Sequence, residues 1–216
     1  MSDLYQAILK GDARAASAAV HSALDHGAAP LDLLQTVMVP AMDEVGRAFE
    51  CGDYFVPELL LAGRAMKAAL EPLRPLLAAG AAEPAGRVVI GTVAGDLHDI
   101  GKNIVISMLE GAGFAVTDLG VDVSPQKFVN AVRAKQPDLL CLSALLTVTM
   151  PAMRTTIGAL SAAGLRDQVR VMVGGAPVSQ AFADEIGADG YSDNAAAAVT
   201  LARKLMGALA DTRSTR

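Results

Sequence analysis

From residue 88 onward, short and continuously apolar runs, several of them β-branched, alternate with segments of helix length. No other feature constrains the fold as strongly. The runs cover 88–93, 115–119, 139–143 and 169–173, and the helix-length segments cover about 102–112, 125–135, 151–163 and 178–186, with a last helix over 194–210. Strands without a polar face must be covered on both sides, and strand–helix alternation brings successive strands into parallel register. This half therefore reads as an α/β fold, a doubly wound parallel sheet with helices on both faces.

The first 78 residues follow a different pattern. Apolar residues recur at three-and-four spacing, β-branched clusters are few, and Ala, Leu and Met abound, which predicts helices over 3–9, 12–26, 31–50 and 56–78. Pro30 suits a helix start, and Gly52-Asp53 interrupts the pattern between the last two. A four-helix bundle over 1–79 is expected. The small, aperiodic, Pro- and Gly-containing stretch 80–86 reads as a linker, and 87–216 as the sheet domain.

A chain of 216 residues with 52% hydrophobic content is long enough for one large domain or two small ones, each with its own core. Its formal net charge of −5 and the absence of any Lys/Arg cluster argue against nucleic acid or an anionic membrane as partner. The first residues lack the charged and apolar regions of a signal peptide, and no apolar run approaches the roughly 18 residues that span a bilayer, so a cytoplasmic protein is expected. Cys51 and Cys141 form no CxxC pair and read as free thiols.

In open parallel sheets ligands collect at the carboxyl ends of the strands, near the point where strand order reverses. That rule places three loops on one rim: 95–101, 143–150 and 174–177. The first contains Gly95-Asp96-Leu97-His98-Asp99-Ile100-Gly101. A neutral imidazole nitrogen ligates transition metals, and a carboxylate on the other ring nitrogen fixes its tautomer, so Asp96 is the natural partner of a metal-ligating His98. Two other readings stay open, a solvated Asp–His hydrogen bond and a divalent-metal or hydrolytic site built from Asp96, His98 and Asp99. Ser143, Thr147 and Thr149 project to one side if the backbone stays extended there; alternatively Thr149 caps the helix that starts at Pro151. Gly174-Gly175 lets backbone approach a ligand, or simply makes a tight turn.

Taken in order, Asp96-x-His98-x-x-Gly101, Ser143-x-Leu145 and Gly174-Gly175 resemble the three-part signature of the cobalamin-binding family found in methionine synthase, base-off mutases and corrinoid methyl carriers. Residues 40–67, including Phe49-Glu50-x-Gly52-Asp53-Tyr54-Phe55-Val56-Pro57-Glu58, are similar to the helical cap of its methyl-carrying members. The resemblance covers about residues 5 to 210. It implies a four-helix cap followed by a flavodoxin-like, five-stranded sheet, and a cobalamin or related corrinoid bound base-off with His98 as axial ligand to cobalt. It assigns catalytic roles to His98, Asp96 and Thr149, the last standing where methionine synthase has the serine of a His–Asp–Ser relay. Cofactor contacts follow at Gly95, Leu97, Asp99, Ile100, Gly101, Ser143, Leu145, Thr147, Gly174, Gly175 and Ala195, with Phe49 and Val56 over the upper face. As residues of a bundle, Phe49 and Val56 equally suit its core, as do Met38 and Met42.

The function so implied is methyl carriage. Co(I) accepts a methyl group delivered by a substrate-specific methyltransferase, and methylcob(III)alamin yields it to an acceptor such as tetrahydrofolate or a thiol on a second methyltransferase. A reductive activation protein is a further expected partner, and motion of the cap about residues 78–86 an expected accompaniment. The same signature also serves mutases, against which the cap argues, and noncatalytic cobalamin sensors or stores.

Overall fold

The computed structural model describes residues 2–79 and 84–214. They fall into two compact units, one holding the described residues up to 85 with 107–114 and the other 86–106 with the described residues from 115 on. The expected linker lies largely outside the described residues, which omit 80–83.

In the helical unit, α1 (Ser2–Leu9) and α2 (Ala13–Asp25) are separated by a turn, and Asp12 caps α2 by accepting the Ala15 N–H at 2.9 Å. The expected helix 31–50 is three pieces, α3 (Pro30–Leu33), a π-helical stretch (Leu34–Met38) and α4 (Val39–Glu50). Pro40, in the first turn of α4, has no N–H to return to the carbonyl four residues back, and the widened π turn leads directly into it. The expected helix 56–78 is also corrected: α5 (Val56–Leu70) ends in a turn around Pro72, and α6 (Arg74–Ala79) follows. The N–H of Phe55, just before α5, donates to the Glu58 carboxylate at 2.9 Å. Leu4, Ile8, Val20, Leu33, Met38, Met42, Met66 and Leu73 form the buried interior, so Met38 and Met42 are core.

The second unit is a five-stranded, all-parallel sheet in the order β2-β1-β3-β4-β5. Its strands are β1 (Arg87–Thr92), β2 (Ala115–Asp118), β3 (Leu139–Ser143), β4 (Arg170–Gly174) and β5 (Gly190–Ser192). The helices are α7 (Ile100–Gly111), α8 (Pro125–Lys135), α9 (Pro151–Ala162), α10 (Gln180–Ile186) and α11 (Ala195–Ser214). Val89, Leu140, Leu142, Val171 and Val173 pack with Phe128, Val129 and Val132 of α8, Met153, Ile157 and Leu160 of α9, and Ile186 of α10. Their alternate neighbours Val88, Ile90, Leu139, Cys141 and Met172 point the other way and are buried too. Both faces are therefore covered.

Strand order reverses between β1 and β3, so the loops that follow these two strands open at the topological switch point. The start of α7 is anchored by Lys102, whose ammonium is almost fully buried and lies 2.7 Å from both carboxylate oxygens of Asp118 at the end of β2. A buried ammonium requires such pairing.

Candidate functional site

After β1 the chain turns through Ala94-Gly95 and runs irregularly to the start of α7, leaving side chains 96–99 free of helical constraint. Asp96 is fully buried there, and its carboxylate gathers the site. Oδ1 accepts the His98 backbone N–H at 3.0 Å and faces the His98 ring Nδ1 at 2.7 Å. Oδ2 accepts the Leu145 N–H at 2.8 Å, the Thr149 hydroxyl at 2.7 Å and, at 3.4 Å, the Leu146 N–H. The carboxylate thus ties the β1 loop to the β3 loop across the switch point.

Burial alone raises the pKa of Asp96. The hydrogen bonds from Thr149, the Leu145 and His98 backbone and the His98 ring outweigh it and hold the carboxyl well below the usual carboxylate range. An ionised carboxylate only accepts, so Nδ1 of His98 carries the proton toward it. In the neutral ring the lone pair is then on Nε2, which has no hydrogen-bond partner among the described residues. The imidazole itself is about half exposed, 49% for the side chain.

Thr149 has one hydroxyl proton and two acceptors, Asp96 Oδ2 at 2.7 Å and the Leu146 carbonyl at 2.8 Å. It does not cap α9, which begins after Met150 with no side-chain cap. The one-sided row of Ser143, Thr147 and Thr149 is corrected: β3 ends at Ser143 and residues 147–150 form a turn, so the period of two is lost. Thr147 is exposed, and only Thr149 reaches Asp96.

Asp99 pairs with the Asn103 side chain at 3.1 Å, and no group of three or more His, Cys, Asp or Glu among the described residues is arranged to hold a metal ion. The close approach that Gly175 permits is to the chain itself: a Cβ there would lie 1.8 Å from the Ala144 carbonyl oxygen, at φ +130°. Gly101 is the opposite case. A Cβ at that position would meet nothing within 4 Å, so the protein's own packing does not demand a glycine.

Ala195 is buried at the start of α11, where Asn194 accepts the Ala197 N–H at 2.8 Å. In the helical unit Phe49 is half-buried, whereas Val56 and its neighbour Phe55 are exposed. Val56 is therefore no part of the bundle interior.

Four residues escape a reading of motifs. Thr92, at the end of β1, donates its hydroxyl to the His98 carbonyl at 2.9 Å. Asp122, in the loop after β2, accepts the Gly95 N–H at 2.7 Å. Leu146 and Val148 belong to an exposed apolar set with Leu97, Leu145 and Ile100, carried on the same two loops as His98 and Thr149 and, for Ile100, on the first residue of α7. A hydroxyl residue closing a strand and a Gly-x-Asp turn after one are the sequence signals for the first two. A run of exposed apolar residues beside a polar cluster, the signal for the others, cannot be told from core without the fold.

Residues 86–200 match the B12 binding domain family, and residues 2–74 match a second family of the same description. The chain belongs to the B12-binding corrinoid proteins. It is 46% identical to dimethylamine corrinoid protein 1 of Methanosarcina acetivorans over 82% of its own length and 84% of the relative's. A cobalamin-binding protein of Desulfitobacterium hafniense superposes with a TM-score of 0.78 at 36% identity, covering 94% of this chain and 97% of that one. A chain of the methanol:cobalamin methyltransferase complex of Methanosarcina barkeri gives 0.84 at 30% identity, covering 95% and 78%.

The residues fit a corrinoid. A corrinoid would ask of the protein at most one nitrogen rather than a cage, and the loops offer one open imidazole nitrogen together with exposed apolar side chains on the neighbouring positions. Of the described residues, no helix is long and apolar enough to cross a membrane.

Proposed function

We propose that this chain is the methyl-carrying corrinoid protein of a methyltransferase system, with His98 as the axial ligand of cobalt and the cofactor's own base displaced. The observation that carries the reading is the row Thr149–Asp96–His98, which fixes Nδ1 and leaves Nε2 open on a half-exposed ring. When bound, the corrinoid supplies a cobalt that takes up a methyl group in its Co(I) state and gives it to an acceptor.

The chain's own residues hold and tune. Asp96 raises the electron-donating power of Nε2 by accepting from Nδ1. Thr149 can turn its proton from Asp96 to the Leu146 carbonyl with little movement, so the carboxylate can take up a proton without stranding a buried polar group. Leu97, Ile100, Leu145, Leu146 and Val148 are proposed to lie against the macrocycle and exclude water from it. Gly95, Gly101, Ser143, Thr147, Gly174 and Ala195 are proposed cofactor contacts on the strand-end rim, and Phe49 and Val56 apolar contacts from the helical unit.

Partners follow from the same reading. A substrate-specific methyltransferase delivers the methyl group, a second one removes it, and a reductive protein restores Co(I). The name of the dimethylamine relative and the methanol methyltransferase complex support a small methylated donor. The test is to load the protein with cobalamin, reduce it, and add dimethylamine with a dimethylamine-specific methyltransferase while following the cobalt-centred absorption. Substrate-dependent spectral conversion is expected, and a methanol-specific enzyme with methanol is the parallel assay. Binding without conversion in both assays would overturn the carrier reading in favour of a store. In His98→Ala, an unchanged spectrum and affinity would refute axial ligation.

A further inference from the structure

The loop between β2 and α8 grips the histidine-bearing loop through a residue that plays no part in the proposed chemistry. We infer that Asp122 is a positioning residue for His98. It fixes the Gly95-Asp96 dipeptide at its two ends, from which the Asp96 carboxylate and, through it, the imidazole take their places.

Asp122 makes two bonds that flank the Gly95–Asp96 peptide, one to the N–H before it and one to the carbonyl after it. Its carboxylate Oδ1 accepts the Gly95 N–H at 2.7 Å, and its own N–H donates to the Asp96 carbonyl at 3.0 Å. The two bonds come from side chain and backbone of one residue and hold the two ends of the Gly95-Asp96 dipeptide, so they constrain its orientation as well as its position. Asp122 is held in turn by its neighbours: the Val123 N–H donates to the Thr92 carbonyl at 2.9 Å, the Thr92 N–H to the Gly120 carbonyl at 3.0 Å, and Val93 forms a parallel bridge with Val123. Thr92 also donates to the His98 carbonyl, closing the loop at its far end.

The backbone of Asp122 supports the assignment. Its φ of +50° lies in the left-handed region, where among the described residues only one other non-glycine, Gln136, is found. Gln136 ends a helix, a place where this conformation is expected, whereas Asp122 sits in an exposed loop where a glycine would meet no such strain. A glycine would surrender the carboxylate. Asp and Asn are the side chains that tolerate this conformation while presenting an acceptor to nearby backbone.

Asp122→Gly and Asp122→Asn separate backbone conformation from acceptor. Hydrogen exchange of the Gly95 amide in the corrinoid-free protein, and the affinity and spectrum of added hydroxocobalamin, are measured for both and for wild type. Asp122→Gly should speed Gly95 exchange at least tenfold and weaken cobalamin binding at least fivefold, with the sheet amides of Leu140 and Val171 unchanged. Asp122→Asn should stay within about twofold of wild type in both. Cobalamin affinity within twofold of wild type in Asp122→Gly would overturn the assignment, as would an equal loss in Asp122→Asn. The inference rests on His98 holding cobalt, and His98→Ala is measured beside it. An unaltered His98→Ala spectrum removes that reading and this inference together, whereas an altered His98→Ala beside a wild-type-like Asp122→Gly removes this inference alone.

Discussion

Thr149 donates to Asp96 at 2.7 Å across 53 residues of sequence, joining the loop after β1 to the loop after β3 where the strand order reverses. Neither residue is in a regular element, so the bond and its neighbours define the shape of the rim. Thr149→Val keeps the shape of the side chain and deletes the donor. A buried charged acceptor that loses one of its donors should cost about 1–3 kcal/mol, measured by urea denaturation of the corrinoid-free protein. Thr149→Ser should recover most of it, and an unchanged midpoint in the valine variant would show that the bond carries no net stability.

The Asp96 carboxyl is held below its ordinary range, so its contribution to stability has a definite pH dependence. A carboxyl near 3.9 in the unfolded chain and lower in the folded one stabilises above that unfolded value, and the stabilisation is lost as pH falls toward the folded value. Asp96→Asn, which turns an amide NH2 toward donors, should be clearly destabilised at pH 7. The gap from wild type should narrow below about pH 4, as wild type loses its advantage. Parallel stability curves for the two proteins from pH 7 down to 3 would show that the environment of Asp96 does not act this way.

His98→Ala separates stability from ligation. The imidazole is half exposed, and without it Asp96 keeps its bonds from Leu145, Thr149 and the residue-98 backbone, so the corrinoid-free protein should change by less than about 1 kcal/mol. A larger loss in thermal unfolding would make His98 a structural residue first.

What could be read from the sequence divides along physical lines. β1, β3 and β4 announced themselves because strands buried on both faces are apolar throughout. β5 did not: three residues, only partly buried, offer no run to detect. Pro72 marked the break between α5 and α6, and the helical periodicity on both sides masked it. At the site, Asp96 and His98 carry distinctive side-chain chemistry and were legible as a pair, whereas Thr149 stood out from its neighbouring hydroxyls only through the family resemblance. The turn that follows Ser143 spoiled the expected row of hydroxyls, because a period of two holds only while the strand lasts. Thr92 and Asp122 act through backbone partners, and the positive φ of Asp122 leaves no mark in a residue type common in all loops.

The two thiols should behave oppositely. Cys51 is exposed and Cys141 is buried in β3, where burial pushes its thiol up to about 12. Native protein should therefore take up one equivalent of a thiol reagent rapidly at pH 8, and a second only on unfolding. The raised value also fixes a sign: the stability tied to the protonated thiol is full below an unfolded pKa near 8.5 and is lost as pH rises toward 12. Cys141→Ala should flatten that alkaline decline while costing stability at neutral pH through the cavity it leaves. Two equivalents labelled at equal rates in the native state would contradict the burial.

Gly175 and Gly101 make opposite predictions for the same substitution. Gly175→Ala places a Cβ against the Ala144 carbonyl oxygen at a backbone angle that L residues avoid, so the strand ends must separate and stability should fall by more than about 4 kcal/mol. Gly101→Ala places its methyl in open space within the first turn of α7, where alanine gains up to about 1 kcal/mol over glycine in helix propensity. The corrinoid-free protein should thus be as stable as wild type or more so. If that space is where the cofactor lies, the same variant binds cobalamin more weakly, because the methyl occupies volume that only a ligand uses. Thermal unfolding and a cobalamin titration on one preparation decide the matter: a more stable protein with weaker binding assigns the glycine to the ligand, whereas unchanged affinity means that nothing bound comes close to residue 101.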